Sequence, residues 1–399
     1  MGAGTSRGLR VANRASVLRA LVGAGELSRA DIAGACRLSA AAVATIVAEL
    51  LRAGLVEERG LVPSDGGRPI GRLGVRAHAC HVLGAEVADG GIVVELLDLA
   101  RARVDCERVP VDDGRASPVE LTAALRRAVR AVRARHPEVE PSLAGLGLAL
   151  PRELLVGPLV EVLREPGRAG ELPVHPVSRA TALAAAEAWH TGPRADGATA
   201  EESATLVVSL GRDVDVALVS GGAGGPDRPE KGSVVPVAGH WGHTTVVPNG
   251  RRCPCGRRGC LEAYVGADAL VEAWRARGGA PREEGPRALA ALVAAADAGE
   301  PGAATALELG LDLLGIAIGG ALTLTGAGRV VLAGWAGELL ARTRSAAVAT
   351  RAREAAASPG AHLVGLTGAV VPDAGAYGAA LLVLDQVLGA GGMFPAGRT

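Results

Sequence analysis

Aromatic residues are scarce: one Phe, two Tyr and four Trp among 399 residues. That scarcity excludes a broad stacking platform for single-stranded nucleic acid. Lysine is scarcer still, since only Lys231 among the 42 Lys and Arg residues is a lysine. With the excess of Ala, Gly and Arg, this reads as a GC-rich coding bias. Net charge is also missing: 42 basic residues balance 42 acidic ones, so the whole-chain charge points to no partner. Six cysteines are too few for a disulfide scaffold at this length. Residues 1–25 lack the unbroken apolar core of a secretory leader. The most apolar stretch, residues 313–328, is short and interrupted by glycine, which predicts a buried helix rather than a membrane span. The expectation is a cytoplasmic protein. What is abundant is apolar residues, at 49%, and chain length, enough for the cores of two or three domains.

Charge is distributed unevenly. Residues 1–80 hold 11 Arg against 6 acids, a balance of +5, and the rest of the chain holds 31 basic against 36 acidic residues, −5. A small basic segment on an acidic body suggests nucleic-acid contact through the small part, although a solvated surface has the same balance. Periodicity favours the first reading. Val17, Leu18, Leu21 and Val22 form one helical face. Ser28 and Asp31 have capping-box spacing before Ile32. Ser39 is a fitting N-cap for a third helix, with Val43, Ile46, Val47, Leu50 and Leu51 on one face and Gly54 at its end. Residues 55–59 and 72–75 read as two short strands around a Gly-rich loop. Three helices and a two-stranded wing make a winged helix-turn-helix, whose third helix enters the major groove of double-stranded DNA.

The loop at residues 63–69 carries Arg68 between glycine and proline. It is narrow enough to offer Arg68 to a minor groove, though Gly-Arg-Pro is also ordinary loop chemistry. The third helix opens with alanines, and only Ser39 and Thr45 are polar near its start. Affinity is therefore expected from phosphate contacts through Arg14, Arg29, Arg37 and Arg52, with Arg68 in the minor groove.

The body looks duplicated. Residues 81–87 and 92–97 read as a strand hairpin around Gly90 and Gly91, and residues 204–210 and 214–219 read as a second. Residues 143–150 form a wholly apolar strand before Pro151, and residues 330–334 another that ends in glycine. Two actin-like lobes with a cleft between them fit this pattern, as does an unrelated doubly wound fold.

The most specific local signal is His243, Cys253, Cys255 and Cys260. Three thiolates and one imidazole suit tetrahedral zinc, and a closed Cys3His set is structural rather than catalytic. Pro254, Gly256 and Gly259 suit a tight knuckle around the ion. Cys36, Cys80 and Cys106 are isolated and read as plain thiols.

Gly239-His-Trp-Gly-His243, followed by Cys253-Pro-Cys-Gly-Arg-Arg-Gly-Cys-Leu-Glu-Ala-Tyr264, resembles the signature of the ROK family (repressors, open reading frames, kinases). The family pattern there is Gly-Glu-Ile-Gly-His, then Cys-x-Cys-Gly-x-x-Gly-Cys-Leu-Glu. The winged helix and Gly66-Gly-Arg-Pro69 resemble the repressor branch, since the family's kinases lack that domain. The resemblance covers essentially the whole chain. It implies an α/β fold with an actin-like (ribonuclease H-like), two-lobed sugar-kinase-type body behind a DNA-binding domain. It also implies a homodimer or homotetramer, an operator, and a sugar or sugar-derivative effector. The expected division is a winged helix-turn-helix over 1–78, a first lobe over 80–190 completed by a helix over 375–392, and a second lobe over 203–372 with the zinc knuckle at 243–260.

Departures from the family pattern matter as much. Kinases of the family place a catalytic Asp, preceded by Asn, before an Ala-rich helix. Here Ser178 and Arg179 stand at those places, and no Asp lies between Ser142 and His190. A guanidinium cannot serve as a base. The stretches at 84–90 and 211–217 lack the family's phosphate-loop glycines, and Asp213 and Asp215 would repel phosphates. The resemblance therefore implies no ATP binding and no kinase activity. Of the family's sugar contacts, His243 and Glu262 remain and His240 replaces a Glu. Two expectations follow for Arg179: it holds an anionic sugar derivative beside His240, His243 and Glu262, or it pairs with Glu262 and no sugar binds.

Three functions are in play. One is a transcriptional regulator, a repressor of carbohydrate-related genes with a catalytically disabled effector domain. Another is a ROK-type sugar kinase with an atypical site. The last is a degenerate, effector-independent interaction protein, which the alanines of residues 40–44 keep open.

Overall fold

The computed structural model describes residues 6–64, 67–88, 90–111, 116–151, 172–190, 204–220, 233–236, 240–356, 363, 365–371 and 374–392. The N-terminal head consists of helix α1 (Ser6–Ala24), strand β1 (Glu26–Ser28), helices α2 (Arg29–Cys36) and α3 (Ala40–Arg52), and strands β2 (Val56–Ser64) and β3 (Gly67–Val75). Ser28 starts α2 through a reciprocal box: the Asp31 N–H donates to Ser28 Oγ at 3.1 Å and the Ser28 N–H to Asp31 Oδ2 at 2.9 Å. Ser39 starts α3 by accepting from the Ala42 N–H at 3.2 Å. Between the two helices the chain turns by 113°, within the range of a helix-turn-helix. Arg37 makes that turn possible in the left-handed conformation, at φ 51°. Leu18, Leu21, Ile32, Val43, Val47 and Leu50 close the head core.

The wing differs from the sequence expectation. The two strands run into the segment read as a loop, and β1 adds a third strand in the order β1-β3-β2. β2 is an edge strand, a place in a sheet that tolerates Pro63. Its pairing slips between Glu58 and Gly60 and between Val62 and Ser64, bulges that absorb the Gly- and Pro-rich composition. Asp65 and Gly66, with the Arg68 side chain, lie outside the described residues.

The first body sheet contains β4 (His81–Ala88), β5 (Gly91–Asp98), β6 (Arg103–Pro110), β7 (Leu143–Leu150) and β8 (Val174–Ser178), with helices α4 (Pro118–Arg135) and α5 (Arg179–His190). The second contains β9 (Thr205–Leu210), β10 (Val214–Ser220), β11 (Ser233–Pro236), β12 (Arg329–Ala333) and β13 (Gly365–Gly368). Helices α6 (Glu262–Val265), α7 (Ala267–Arg275), α8 (Gly285–Asp297), α9 (Pro301–Thr325) and α10 (Gly334–Ala355) accompany it, and α11 (Gly375–Gly389) follows. The sheet orders are β6-β5-β4-β7-β8 and β11-β10-β9-β12-β13. In each, the first three strands in chain order form an antiparallel meander and the last two add in parallel. The same topology twice is the actin-like pair of lobes. β6 had no clear strand signal, because it is a mostly polar edge strand.

α11 lies directly on β4 and β7 and packs against α5. A Cβ at Gly84 or Gly147 would come within 1.9 or 2.0 Å of the Ala376 or Ala379 carbonyl oxygen, so only glycine permits this approach. α9 is long and apolar enough to cross a membrane by composition alone. It packs instead against α7, α8 and α10, with Leu307, Leu311, Leu314 and Ile318 buried.

Candidate functional site

The knuckle is built by local backbone bonds. The Cys253 N–H donates to Arg257 O at 2.9 Å, and the Gly259 N–H to Arg251 O at 2.8 Å. Gly256 and Gly259 both take positive φ, 88° and 77°. A Cβ on Gly259 would stand 1.7 Å from the Val247 carbonyl oxygen, so the return of the chain toward Cys260 needs glycine there. This turn gathers one ligand atom each from His243, Cys253, Cys255 and Cys260 within 4.8 Å of one another. The Cys255 and Cys260 sulfurs are 3.7 Å apart, and Cys253 Sγ is 3.6 Å from His243 Nδ1. Two thiolates on one tetrahedral zinc lie about 3.8 Å apart, so the donor set fits the ion in type, number and spacing. Burial pushes the Cys253 thiol up to about 12, and a bound cation reverses that preference by favouring thiolate.

Glu262 follows the last cysteine and opens α6. Its Oε2 accepts from the Val214 N–H at 3.1 Å, and its Oε1 lies 3.8 Å from His243 Nδ1. The knuckle is thereby tied to the turn between β9 and β10. His240 is exposed, with its ring 5.5 Å from that of His243. Trp241 packs against the core of the second lobe.

A cavity of about 1000 Å³ lies beside the knuckle. Among its walls are Pro151 from the first lobe and Asp213, His243, Glu262, Arg212 and Arg251 from the second. His240 and Arg179 are not in its lining. Arg179 opens α5, and its side chain is only 6% exposed. Its Nη1 donates to Asp213 Oδ1 at 2.7 Å, its Nη2 donates to Val87 O at 2.7 Å, and its Nε lies 3.2 Å from Glu86 Oε1. The partners are thus Glu86 and Asp213, not Glu262. Arg179 and Glu86 instead line a second cavity of about 440 Å³, with Gly334 and Trp335. Asp213 lines the larger cavity and Arg179 the smaller, so their ion pair joins the two walls. Sequence reasoning picked out Arg179 by its position but missed Glu86, whose only signal was standing in the eroded first hairpin.

In the head, Arg37 and Arg52 are exposed. Arg29 lies 3.3 Å from Glu58, an open ion pair, and Arg14 is 3.8 Å from Glu49. Ser39 and Thr45 are exposed at the start of α3. Thr45 Oγ1 donates to its own helix, at Ala41 O, 3.0 Å away.

The sequence profile of the ROK family matches residues 171–386, more than half of the chain. The DNA-binding transcriptional repressor Mlc of Escherichia coli is 25% identical over 278 residues, 66% of this chain and 65% of Mlc. The chain therefore spans just under two thirds of that relative's length. The crystal structure of a ROK family transcriptional regulator, a homologue of E. coli Mlc, superposes with a TM-score of 0.72 at 19% identity. That match covers 96% of this chain and 98% of the other. A ROK hexokinase from Thermus thermophilus superposes with a TM-score of 0.54 at 23% identity, over 75% of this chain and 97% of the hexokinase.

Proposed function

Because the chain belongs to the ROK family, we propose that it is a cytoplasmic DNA-binding transcriptional regulator, a repressor of carbohydrate-related genes whose kinase-like body senses rather than phosphorylates. The observation that carries this reading is the capped helix-turn-helix, bent by 113°, on an actin-like body. A kinase needs no such head. As a homodimer or homotetramer, the chain presents paired heads to two half-sites of a double-stranded operator.

Arg179 supports the loss of catalysis. Phosphoryl transfer to a sugar hydroxyl requires a group that takes the proton, and a guanidinium held by two carboxylates cannot. The second-lobe turn that a phosphate would approach carries Asp213, already engaged by Arg179. His243, Cys253, Cys255 and Cys260 would hold zinc, which when bound would brace the loop that ends in Glu262. His243 and Glu262 in the cleft cavity support a sugar effector, with Arg212 and Arg251 able to meet an anionic derivative. An effector that binds better to one arrangement of the lobes shifts operator affinity by that difference in binding.

The test is binding of the zinc-loaded chain to duplex DNA flanking its own gene, against random duplex, over a salt titration. Preference for the flanking DNA, weakened in Arg68→Ala, supports the regulator. Equal affinity for both duplexes sinks it in favour of an interaction protein. ATP-dependent phosphorylation of any hexose by the same sample overturns the non-enzyme reading. A thermal-shift series of neutral sugars, sugar acids and sugar phosphates identifies the effector class.

A further inference from the structure

From Ala40 to Ala48 the exposed face of α3 presents methyl groups. Ala40, Ala41, Ala44, Thr45 and Ala48 are exposed on it, while Val43, Ile46, Val47 and Leu50 point into the head core. The spacing i, i+1, i+4, i+5, i+8 puts the exposed five on one side of the helix. The two hydroxyls at its start are turned to the backbone. Ser39 Oγ accepts from the Ala42 N–H at 3.2 Å, and Thr45 Oγ1 donates to Ala41 O at 3.0 Å. With its hydroxyl on the helix, Thr45 presents its methyl outward. Between Ala40 and Ala48 no side chain on this face offers the paired donors and acceptors that read a guanine or adenine edge, and Arg52 continues the face only at the far end of the helix.

Charge supplies the occupant. Arg37 stands exposed just before the helix and Arg52 at its end, and neither has an ion pair among the described residues. Residues 1–80 as a whole are basic by five charges. A methyl face bracketed by arginines, on the second helix of a helix-turn-helix, fits the major groove of a duplex. There the one base feature recognised by apolar contact is the C5-methyl group of thymine. Alanine also keeps the face thin, so the helix can approach the base edges closely.

We propose that α3 recognises its operator through thymine C5-methyl groups, with Ala40, Ala41, Ala44, Thr45 and Ala48 as the specificity-determining residues. This rests on the reading of the chain as a DNA-binding regulator. Arginines hold the phosphates, and methyl-to-methyl contact distinguishes thymine from cytosine at the same groove position.

The test uses the zinc-loaded full chain and a random 20-bp duplex pool. Bound duplexes are selected, and the best is remade with each thymine replaced singly by deoxyuridine, which removes only the methyl. Affinity is expected to fall about fourfold at each contacted thymine, the worth of one buried methyl-sized group. Replacing a contacted T·A pair by 5-methylcytosine·G is expected to hold affinity better than unmodified C·G, because the methyl stays while the hydrogen-bonding edge changes. Thymine and uracil duplexes bound alike would overturn the proposal and leave DNA binding intact. Failure to enrich any sequence would overturn the regulator reading and this inference with it.

Discussion

Arg19, on the first helix of the chain, forks onto Asp385, on the last. Nε donates to Oδ1 at 2.8 Å, and Nη2 donates to Oδ2 at 3.1 Å and to the Asp385 carbonyl oxygen at 3.2 Å. α1 packs on α11 around this pair, and α11 in turn lies on β4 and α5, the elements that carry Glu86 and Arg179. The head is thus seated on the helix that also underlies the cleft. The pair is partly open to solvent, so Asp385→Ala is expected to cost about 1 kcal/mol of global stability or less. Its larger effect is expected on the head's seating, read as faster proteolytic cleavage near residues 76–80. Unchanged cleavage would mean that apolar packing alone holds the head.

Arg179 is the charge whose loss matters most. Its side chain is 6% exposed and its partners Glu86 and Asp213 are 8% and 13% exposed. Arg179→Ala leaves two buried carboxylates without their cation, which is expected to cost about 3–5 kcal/mol. Arg179→Met with Asp213→Asn and Glu86→Gln should recover much of that loss. Chemical denaturation of the wild type and the two variants checks both, and a loss under about 1 kcal/mol in Arg179→Ala would show that the triad holds nothing together.

The knuckle makes a separate prediction. Metal analysis is expected to find a single zinc in each chain, and Cys260→Ser, at a fully buried ligand, is expected to lose it. Because the binding energy of a structural metal is folding energy, a strong chelator should lower the melting temperature of the wild type and leave Cys260→Ser unmoved. Wild-type zinc content in the variant would refute the ligand set.

Alkaline pH tests a different cysteine. Burial pushes the Cys80 thiol from 9.0 up to about 12. Above pH 9 the unfolded chain loses this proton and the folded chain keeps it, so the unfolded state binds fewer protons and stability falls as pH rises. The loss runs at up to about 1.4 kcal/mol per pH unit until the folded thiol itself ionises. Cys80→Ala should show a shallower decline over pH 9.5–11 in denaturant melts, and parallel declines would place the sensitivity elsewhere.

Local patterns were legible in the sequence. Ser28, Ser39 and the period of Val43, Ile46 and Val47 mark the helix-turn-helix because caps and faces are written within a few residues. The His243 and cysteine cluster is legible for the same reason, with three of its four residues within eight positions. β1 has only three residues and β6 is polar, so neither carries enough alternation to be read. The partners of Arg179 were missed for a different reason. Glu86 lies on β4 and Asp213 in the turn between β9 and β10, both far from Arg179 in sequence, and only the tertiary fold selects them over Glu262.

The contact between the first and last helices also orders events in time. Arg19 and Asp385 are 366 residues apart. During synthesis the head emerges first and can close its own small core, since domains fold as units from the N-terminus. Its seat does not exist until α11 has left the ribosome and settled on β4 and β7. A newborn head is therefore free of that seat for most of the time the rest of the chain takes to be made. A chain cut short before α11 would keep that freedom permanently.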